Sequence, residues 1–297
     1  MVAGNLAALL SDFQTFKLLP VPKISVVIIT LNEADNIGRC LRAAQPVADE
    51  LLLADSGSKD GTLKIAEELG ARVVQVEWQG YAKTKNYANS LAANDWILSL
   101  DADEVLSETL QASILKLKQE ADLPATYSFN RLTNYCGKWI RSCGWFPDWK
   151  PRLFHRERAR WVGAFVHETL ESDPEVEVIQ LEGLCYHYSI SSLEQHLRTV
   201  DKFSSLKAQE LYAKGEHANF IKLWIKPWAE FLKSYFLKGG IRDGYYGYTI
   251  SRMNAYSKFL RYAKLQLLWE QTQGGGPGVN TATPAQSSSL ADNQADG

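Results

Sequence analysis

The chain predicts an α/β fold: a mostly parallel sheet with helices on both faces. Three observations in the first 110 residues lead there. Short β-branched or aliphatic runs alternate with helical patterns, as in βαβ units. The runs are apolar at consecutive positions, as strands buried on both faces are. Three of four such runs end in clusters of small and acidic residues, and in an open parallel sheet those ends share one rim, where ligands bind.

Ile24 to Ile29 is the first run, and it stops at Thr30-Leu31-Asn32-Glu33. A helical pattern follows, with Ile37 and Leu41 one turn apart and Asn32 or Asp35 available as caps. Glu50 to Ala54 forms the second strand. It ends in Asp55-Ser56-Gly57-Ser58-Lys59-Asp60-Gly61-Thr62, ahead of a helix from Thr62 to Leu69. Arg72 to Val76 is the third strand and Trp96 to Leu100 the fourth, running into Asp101-Ala102-Asp103-Glu104.

Two aspartates one residue apart at a buried strand end repel unless something positive lies between them. A divalent cation that keeps some waters and also holds substrate phosphates meets that need. The same tetrapeptide also fits a solvated turn leading to a helix at Ser107 and Glu108, whose N-terminus favours acids. There is no Gly-x-Gly-x-x-Gly and no Gly-Lys-Ser/Thr loop, so dinucleotide and P-loop sites are unsupported.

Composition narrows the class. The 297 residues are 45% hydrophobic and 22% charged with a net charge of -2, ordinary for a globular protein with no global attraction to nucleic acid. Cys40, Cys136, Cys143 and Cys185 have no Cys-x-x-Cys spacing, which fits a reduced, cytoplasmic location. Residues 1–20 lack signal-peptide character, and no apolar run is long enough to span a bilayer. The expected layout is an N-terminal extension over 1–22 and a catalytic domain over 23–200, nucleotide-binding to 110 and completed by 111–200. A helical region over 201–270 and a disordered Gly/Ser/Thr-rich tail over 271–297 follow.

Four ordered motifs over residues 24–110 resemble family 2 glycosyltransferases of the A-type fold. They are Val26-Val27-Ile28-Ile29-Thr30-Leu31-Asn32-Glu33, the Asp55 to Thr62 segment, Gly80-Tyr81-Ala82-Lys83-Thr84-Lys85-Asn86-Tyr87-Ala88, and Leu100-Asp101-Ala102-Asp103-Glu104. The resemblance implies that Thr30, Asn32 and Glu33 line a nucleotide pocket, that Asp55 bonds the base, and that Ser56 and Gly57 belong to the same loop. It implies that Lys83, Lys85 and Asn86 face the donor, with one lysine at the diphosphate. Asp101 and Ala102 would face the nucleotide sugar, with Asp101 at the ribose or metal-bound water and counted with the metal residues, and Asp103 would ligate Mn or Mg.

The segment from Gly144 to Glu168 is dense in Trp, Arg and acid, as a sugar cleft is, although such aromatics also fill cores. Glu168, in a His-Glu pair similar to that of the family, is the expected catalytic base, with Asp148 as the second choice. Arg152 would neutralise phosphate or pair with one of the acids. His187 would complete the metal ligands, or be a satisfied core histidine. The pattern resembles bacterial lipopolysaccharide core β-1,4-glucosyltransferases. It implies an inverting, metal-dependent transferase that uses a nucleotide-sugar donor and a cell-envelope or lipid-linked glycan acceptor. The alternatives are a non-catalytic nucleotide-sugar-binding protein and a transferase acting on a soluble acceptor. A nucleotidylyltransferase would need a Gly-rich, Lys-bearing loop at Thr30 to Gly38, and a processive synthase would need membrane spans.

Residues 214–264 carry ten Lys or Arg against three acids, with twelve aromatics. Phe220, Trp224, Trp228, Phe231 and Tyr235 fall at helical steps that put them on one face, with Lys222, Lys226 and Lys233 flanking it and Pro227 expected to kink the helix. A second helix is expected from Tyr245 to Leu268. These C-terminal amphipathic helices fit either peripheral attachment to the inner face of a membrane or packing on the catalytic domain.

Overall fold

Four parallel strands open the computed structural model, which describes residues 21–120, 123–163 and 168–273. Strands β1 (Ile24–Thr30), β2 (Glu50–Asp55), β3 (Arg72–Gln75) and β4 (Trp96–Asp101) lie in the order β3-β2-β1-β4. Helices α1 (Ala34–Ala44), α2 (Thr62–Glu68) and α3 (Tyr81–Ser90) connect them. Every residue of β1 is buried, because both of its faces are covered. Val26 and Ile28 pack with Ile37 and Leu41 of α1 in one core. Val27 and Ile29 pack with Ala82 and Ala88 of α3 in a second core. Alternate side chains of one strand thus feed two cores, which explains the unbroken apolar run.

Register sets the rim. Thr30 lies opposite Asp55, and Ile29 opposite Asp101, so the polar ends of β1, β2 and β4 stand side by side. Beyond Asp101 the chain turns into β5 (Glu104–Leu106) and then α4 (Glu108–Leu117). The Ser107 hydroxyl caps α4 by accepting the Leu110 N–H at 3.2 Å. The helix that the acidic motif could have merely introduced is therefore present, although Asp101 itself belongs to the strand.

The second half of the sheet is mixed. It comprises β6 (Thr126–Tyr135), β7 (Lys138–Trp139), β8 (Trp149–His155) and β11 (Val178–Ile190). The order runs on as β4-β8-β6-β11-β5, with β7 paired to β6. Strand β8 is antiparallel to both β4 and β6, whereas β11 is parallel to β6. The mostly parallel expectation holds for the first half of the sheet; further on, chain returns without crossover helices bring in antiparallel neighbours. A two-stranded ribbon of β9 (Ala159–Val162) and β10 (Thr169–Ser172) stands apart.

Helices complete the chain: α5 (Leu193–Ala213), α6 (Lys226–Leu232) and α7 (Gly244–Gln273). The helical part begins at Leu193, earlier than the expected 201. Pro227 opens α6 directly after a widened π turn at Ile221–Ile225, so the helix absorbs the proline by widening. Helices α5 and α7 share a core of Ala208, Leu211, Tyr262 and Leu265. Ile250 of α7 joins Tyr135, Ile140, Cys143 and Ile190 beneath the sheet's end. Among the described residues no helix is long and apolar enough to cross a membrane. Most of the expected extension and tail lies outside the described residues.

His196 ties α5 to the sheet. Its Nδ1 lies 3.0 Å from the Tyr135 hydroxyl, and its ring meets Tyr135 and Trp145 edge-on. Burial pushes its pKa down from the ordinary 6.5 to about 4. The unfolded chain therefore takes up a proton first as pH falls. The His196 contribution to stability should be constant above about 6.5 and decline between 6.5 and 4 by about 3 kcal/mol at most. Urea unfolding across that range should give a shallower pH slope for His196→Phe; an unchanged slope would assign the loss to other groups.

Candidate active site

Asp101, the last residue of β4, lies between two buried cations. Its Oδ1 is 2.8 Å from Lys85 Nζ of α3, and its Oδ2 accepts from the Arg152 guanidinium of β8 at 2.7 Å. Burial alone would push the Asp101 carboxyl up; Arg152 and Lys85 outweigh it and hold it well below the usual carboxylate range. Arg152 also donates to Glu104 at 2.7 Å, and Glu104, fully buried at the start of β5, accepts the Asp101 backbone N–H at 3.1 Å.

These pairs belong to one chain of alternating charge. Glu168 lies 3.4 Å from Lys85 at one end. At the other, Arg131 of β6 links Glu104 at 3.3 Å to Asp148 at 2.9 Å, and Lys150 is 3.0 Å from Asp148. Four carboxylates and four cations thus alternate from Glu168 through Lys85, Asp101, Arg152, Glu104, Arg131 and Asp148 to Lys150. The Trp161 ring of β9 covers the middle, with Lys85 Nζ at 4.5 Å and the Arg152 guanidinium at 5.5 Å from its centroid.

The two expected catalytic carboxylates differ in freedom. Asp148 is held on both oxygens, one by Arg131 at 3.0 and 2.9 Å and the other by Lys150. Glu168 has one long contact through Oε1, and its other oxygen has no hydrogen bond among the described residues. His167 lies outside the described residues.

Asp103 and His187 form a separate pair, with Nε2 3.2 Å from Oδ2. The other imidazole nitrogen is 3.3 Å from the Thr133 hydroxyl. Among the described residues no three His, Cys, Asp or Glu side chains converge to hold a metal ion. Asp101, Asp103 and His187 are therefore not a ready-made ligand triad, because Asp101 is turned to Lys85 and Arg152. The Asp103–His187 pair offers two ligand atoms and suits a divalent ion completed by substrate oxygens and water. Glu33 faces the same side; burial pushes its carboxyl up, and the Asp103 charge adds to this against the Asn36 hydrogen bond.

The loops after β1 and β2 interlock. Asn32, at a positive φ of 54°, accepts the Lys59 N–H at 2.8 Å, and its own N–H donates to Ser58 Oγ at 2.8 Å. Asp55 is fully buried and accepts the N–H groups of Gly57 and Ser58 at 2.8 and 2.9 Å. Ser56 donates its N–H to the Thr30 carbonyl at 3.0 Å. Asp55 is thus enclosed by its own loop, with Oδ2 taking both N–H groups and Oδ1 the Ser58 hydroxyl. Three buried polar atoms at the rim lack partners among the described residues: Thr30 Oγ1, Arg152 Nε and Trp161 Nε1. Buried groups are normally satisfied, so this is where a polar ligand would be accepted.

Three expected donor-facing residues are used otherwise. Lys83 projects to solvent on α3, while Lys85, two residues on, is buried. The Asn86 amide is spent on β9, donating to the Trp161 carbonyl at 2.8 Å and accepting its N–H at 2.9 Å. The Ala102 methyl is buried in the main core. Sequence reasoning assigned no role to Glu104, Arg131 or Trp161. Glu104 carried a signal, since an acid directly after a buried strand needs a cation; the other two carried none.

The glycosyl transferase family 2 model matches residues 25–168. An uncharacterized glycosyltransferase of Rickettsia prowazekii is 32% identical over 270 residues, covering 84% of this chain and 89% of its own length. The lipopolysaccharide core biosynthesis glycosyltransferase LpsC of Rhizobium meliloti is 27% identical, covering 84% and 93%. A crystal structure of glucosyl-3-phosphoglycerate synthase from Mycobacterium tuberculosis, in complex with Mn2+, UDP and glucosyl-3-phosphoglycerate, aligns at a TM-score of 0.32 and 23% identity. That alignment covers 38% of this chain and 44% of the other.

Removing the fully buried carboxylate should be costly in folding terms. Glu104→Ala leaves Arg152 and Arg131 short of a counter-charge and should lose about 3–5 kcal/mol in urea unfolding. Lys83→Ala, on an exposed side chain, should stay within about 0.5 kcal/mol of the parent.

Proposed function

The chain belongs to glycosyl transferase family 2 and is a glycosyltransferase; we propose that it is inverting and metal-dependent. In this reading it moves a hexose from a UDP-linked donor to a cell-envelope glycan such as the lipopolysaccharide core. The donor nucleotide follows from the resemblance of the four motifs. The acceptor class is supported by similarity to LpsC along 84% of the chain.

The observation that carries the mechanism is the Glu168–Lys85–Asp101 link. A carboxylate with one oxygen free of partners among the described residues stands one lysine away from the motif at the end of β4, which supports a base for the acceptor and a cation for the donor in one site. Glu168 takes the proton of the acceptor hydroxyl as that oxygen attacks the anomeric carbon from the face opposite the nucleotide. One displacement inverts the centre, giving a β-linkage from an α-linked nucleotide sugar. Lys85 and Arg152 counter the charge that grows on the departing diphosphate, and the unpaired Arg152 Nε leaves a donor for it. Asp103 and His187 would hold Mn or Mg, which adds Lewis-acid stabilisation of the leaving group. Asp148, held by Arg131 and Lys150, is a positioning residue for the acceptor side.

Titration calorimetry with UDP, GDP and CDP, with and without manganese, tests the donor site. UDP alone should bind tightly, only with metal, and not to Asp103→Ala. Glu168→Gln should bind UDP as the parent does yet turn over about 10²–10⁴-fold more slowly. Unchanged turnover in that variant would remove Glu168 as the base.

A further inference from the structure

We propose that the face formed by residues 220–237 and the first turns of α7 docks on an anionic lipid bilayer. This proposal is independent of the transferase chemistry. Trp224 and Trp228 are 60% and 62% exposed, Leu237 84% and Tyr245 74%. Phe220, Ile221, Ile225, Leu232, Phe236 and Ile241 are exposed with them. The inner side of the same segment is already used: Phe231 and Tyr235 contact Tyr248 of α7 at ring distances of 5.8 and 5.9 Å. The five aromatics expected on one face therefore divide, with Phe231 and Tyr235 turned to α7 and Phe220, Trp224 and Trp228 left outward. A helix that already has its packing partner has no structural need for tryptophans on its other side.

Helix geometry keeps the outward set together. Trp224, Trp228, Leu232 and Phe236 recur every four residues, a step that drifts about 40° each time in a regular α-helix. The widened turns at Ile221–Ile225 and Lys233–Leu237 hold more residues per turn and reduce that drift. The result is one apolar stripe.

Charge selects the occupant. The acids of this region are consumed internally: Glu216 pairs with Lys222, Glu230 with Lys258, and Asp243 accepts from the Ser142 hydroxyl. Lys226, Lys233, Lys238, Arg242 and Arg252 are exposed, with no carboxylate within ion-pair distance among the described residues. Exposed Trp and Phe bordered by unpaired cations match the headgroup zone of an anionic membrane, which takes rings at the interface and lysines at the phosphates. A second copy of this chain would bring the same positive charge to the contact and be repelled.

Docking there would hold the site at the surface. The Lys238 carbonyl accepts the Cys143 N–H at 2.9 Å, and Asp243 takes the Ser142 hydroxyl at 2.6 Å. The segment leading to Ser142 starts from Trp139, which contacts Tyr186 and Tyr188 on either side of His187.

The test is co-sedimentation of the full chain with phosphatidylcholine vesicles, with and without about one third phosphatidylglycerol. It is run beside sedimentation velocity and thermal melting. The parent should bind the anionic vesicles about tenfold or more tightly than the neutral ones. Trp224→Ser with Trp228→Ser should lose about tenfold in binding at unchanged Tm, and Lys233→Gln with Arg242→Gln should lose several-fold, most at low salt. No binding to anionic vesicles would overturn the proposal. So would a self-associating parent made monomeric by the tryptophan changes, since the face would then belong to a second copy.

Discussion

Arg152 is the interaction on which the rest of the site depends. Its guanidinium bonds Asp101 and Glu104 together, at 2.7 Å each, with only 5% of its side chain exposed. Two acids this close at a buried strand end would otherwise repel, and Glu104, a fully buried charge, would be left with only its longer 3.3 Å pair to Arg131. Arg152 reaches both because β8 runs antiparallel beside β4, with Leu153 opposite Leu98. The mixed second half of the sheet is therefore what makes the acidic end of the parallel half tolerable.

Electrically the site is poised rather than strongly positive. Each carboxylate in the series from Glu168 to Lys150 has a cation on at least one side, and the formal charges cancel. A diphosphate arriving at this rim must compete for Lys85 and Arg152 with Asp101 and Glu104. Such competition weakens ground-state binding, yet it leaves both cations fixed in place, so little reorganisation is needed when charge develops on a leaving group. Trp161 strengthens the effect by covering Lys85 and Arg152 and lowering the local dielectric.

Much of the parallel half was legible in the sequence because a strand buried on both faces writes itself as a continuous apolar run. Strands β1, β2, β3 and β4 lie within one residue of their expected ends. Side-chain roles were less legible, because they are set by partners far along the chain. Asn86 sits in a donor-like motif, yet its amide is satisfied by Trp161, 75 positions away. Glu104 is neutralised from 27 and 48 positions away, and nothing near it in sequence announces Arg131. The aromatic stripe was misjudged for a different reason. Trp228 and Phe231 lie in the same regular helix, yet a step of three residues sets them about 60° apart, enough to leave one outward and turn the other to Tyr248.

The separation of Asp101 from the Asp103–His187 pair bears on how the site would fill. A metal held by a full protein cage can bind before its substrate. Here the acids are divided, one turned to cations and the other to an imidazole, leaving two ligand atoms for a hard ion that prefers six or more oxygens. Under the proposed function, affinity for the ion alone would be weak and diphosphate oxygens would make up much of the coordination, so donor and ion would reinforce each other's binding. By linkage the reinforcement is reciprocal. Glu33 adds to it: its carboxyl is pushed up by burial and by Asp103, and a cation arriving between these acids relieves their repulsion. In that proposal donor and ion fill the site as a coupled pair.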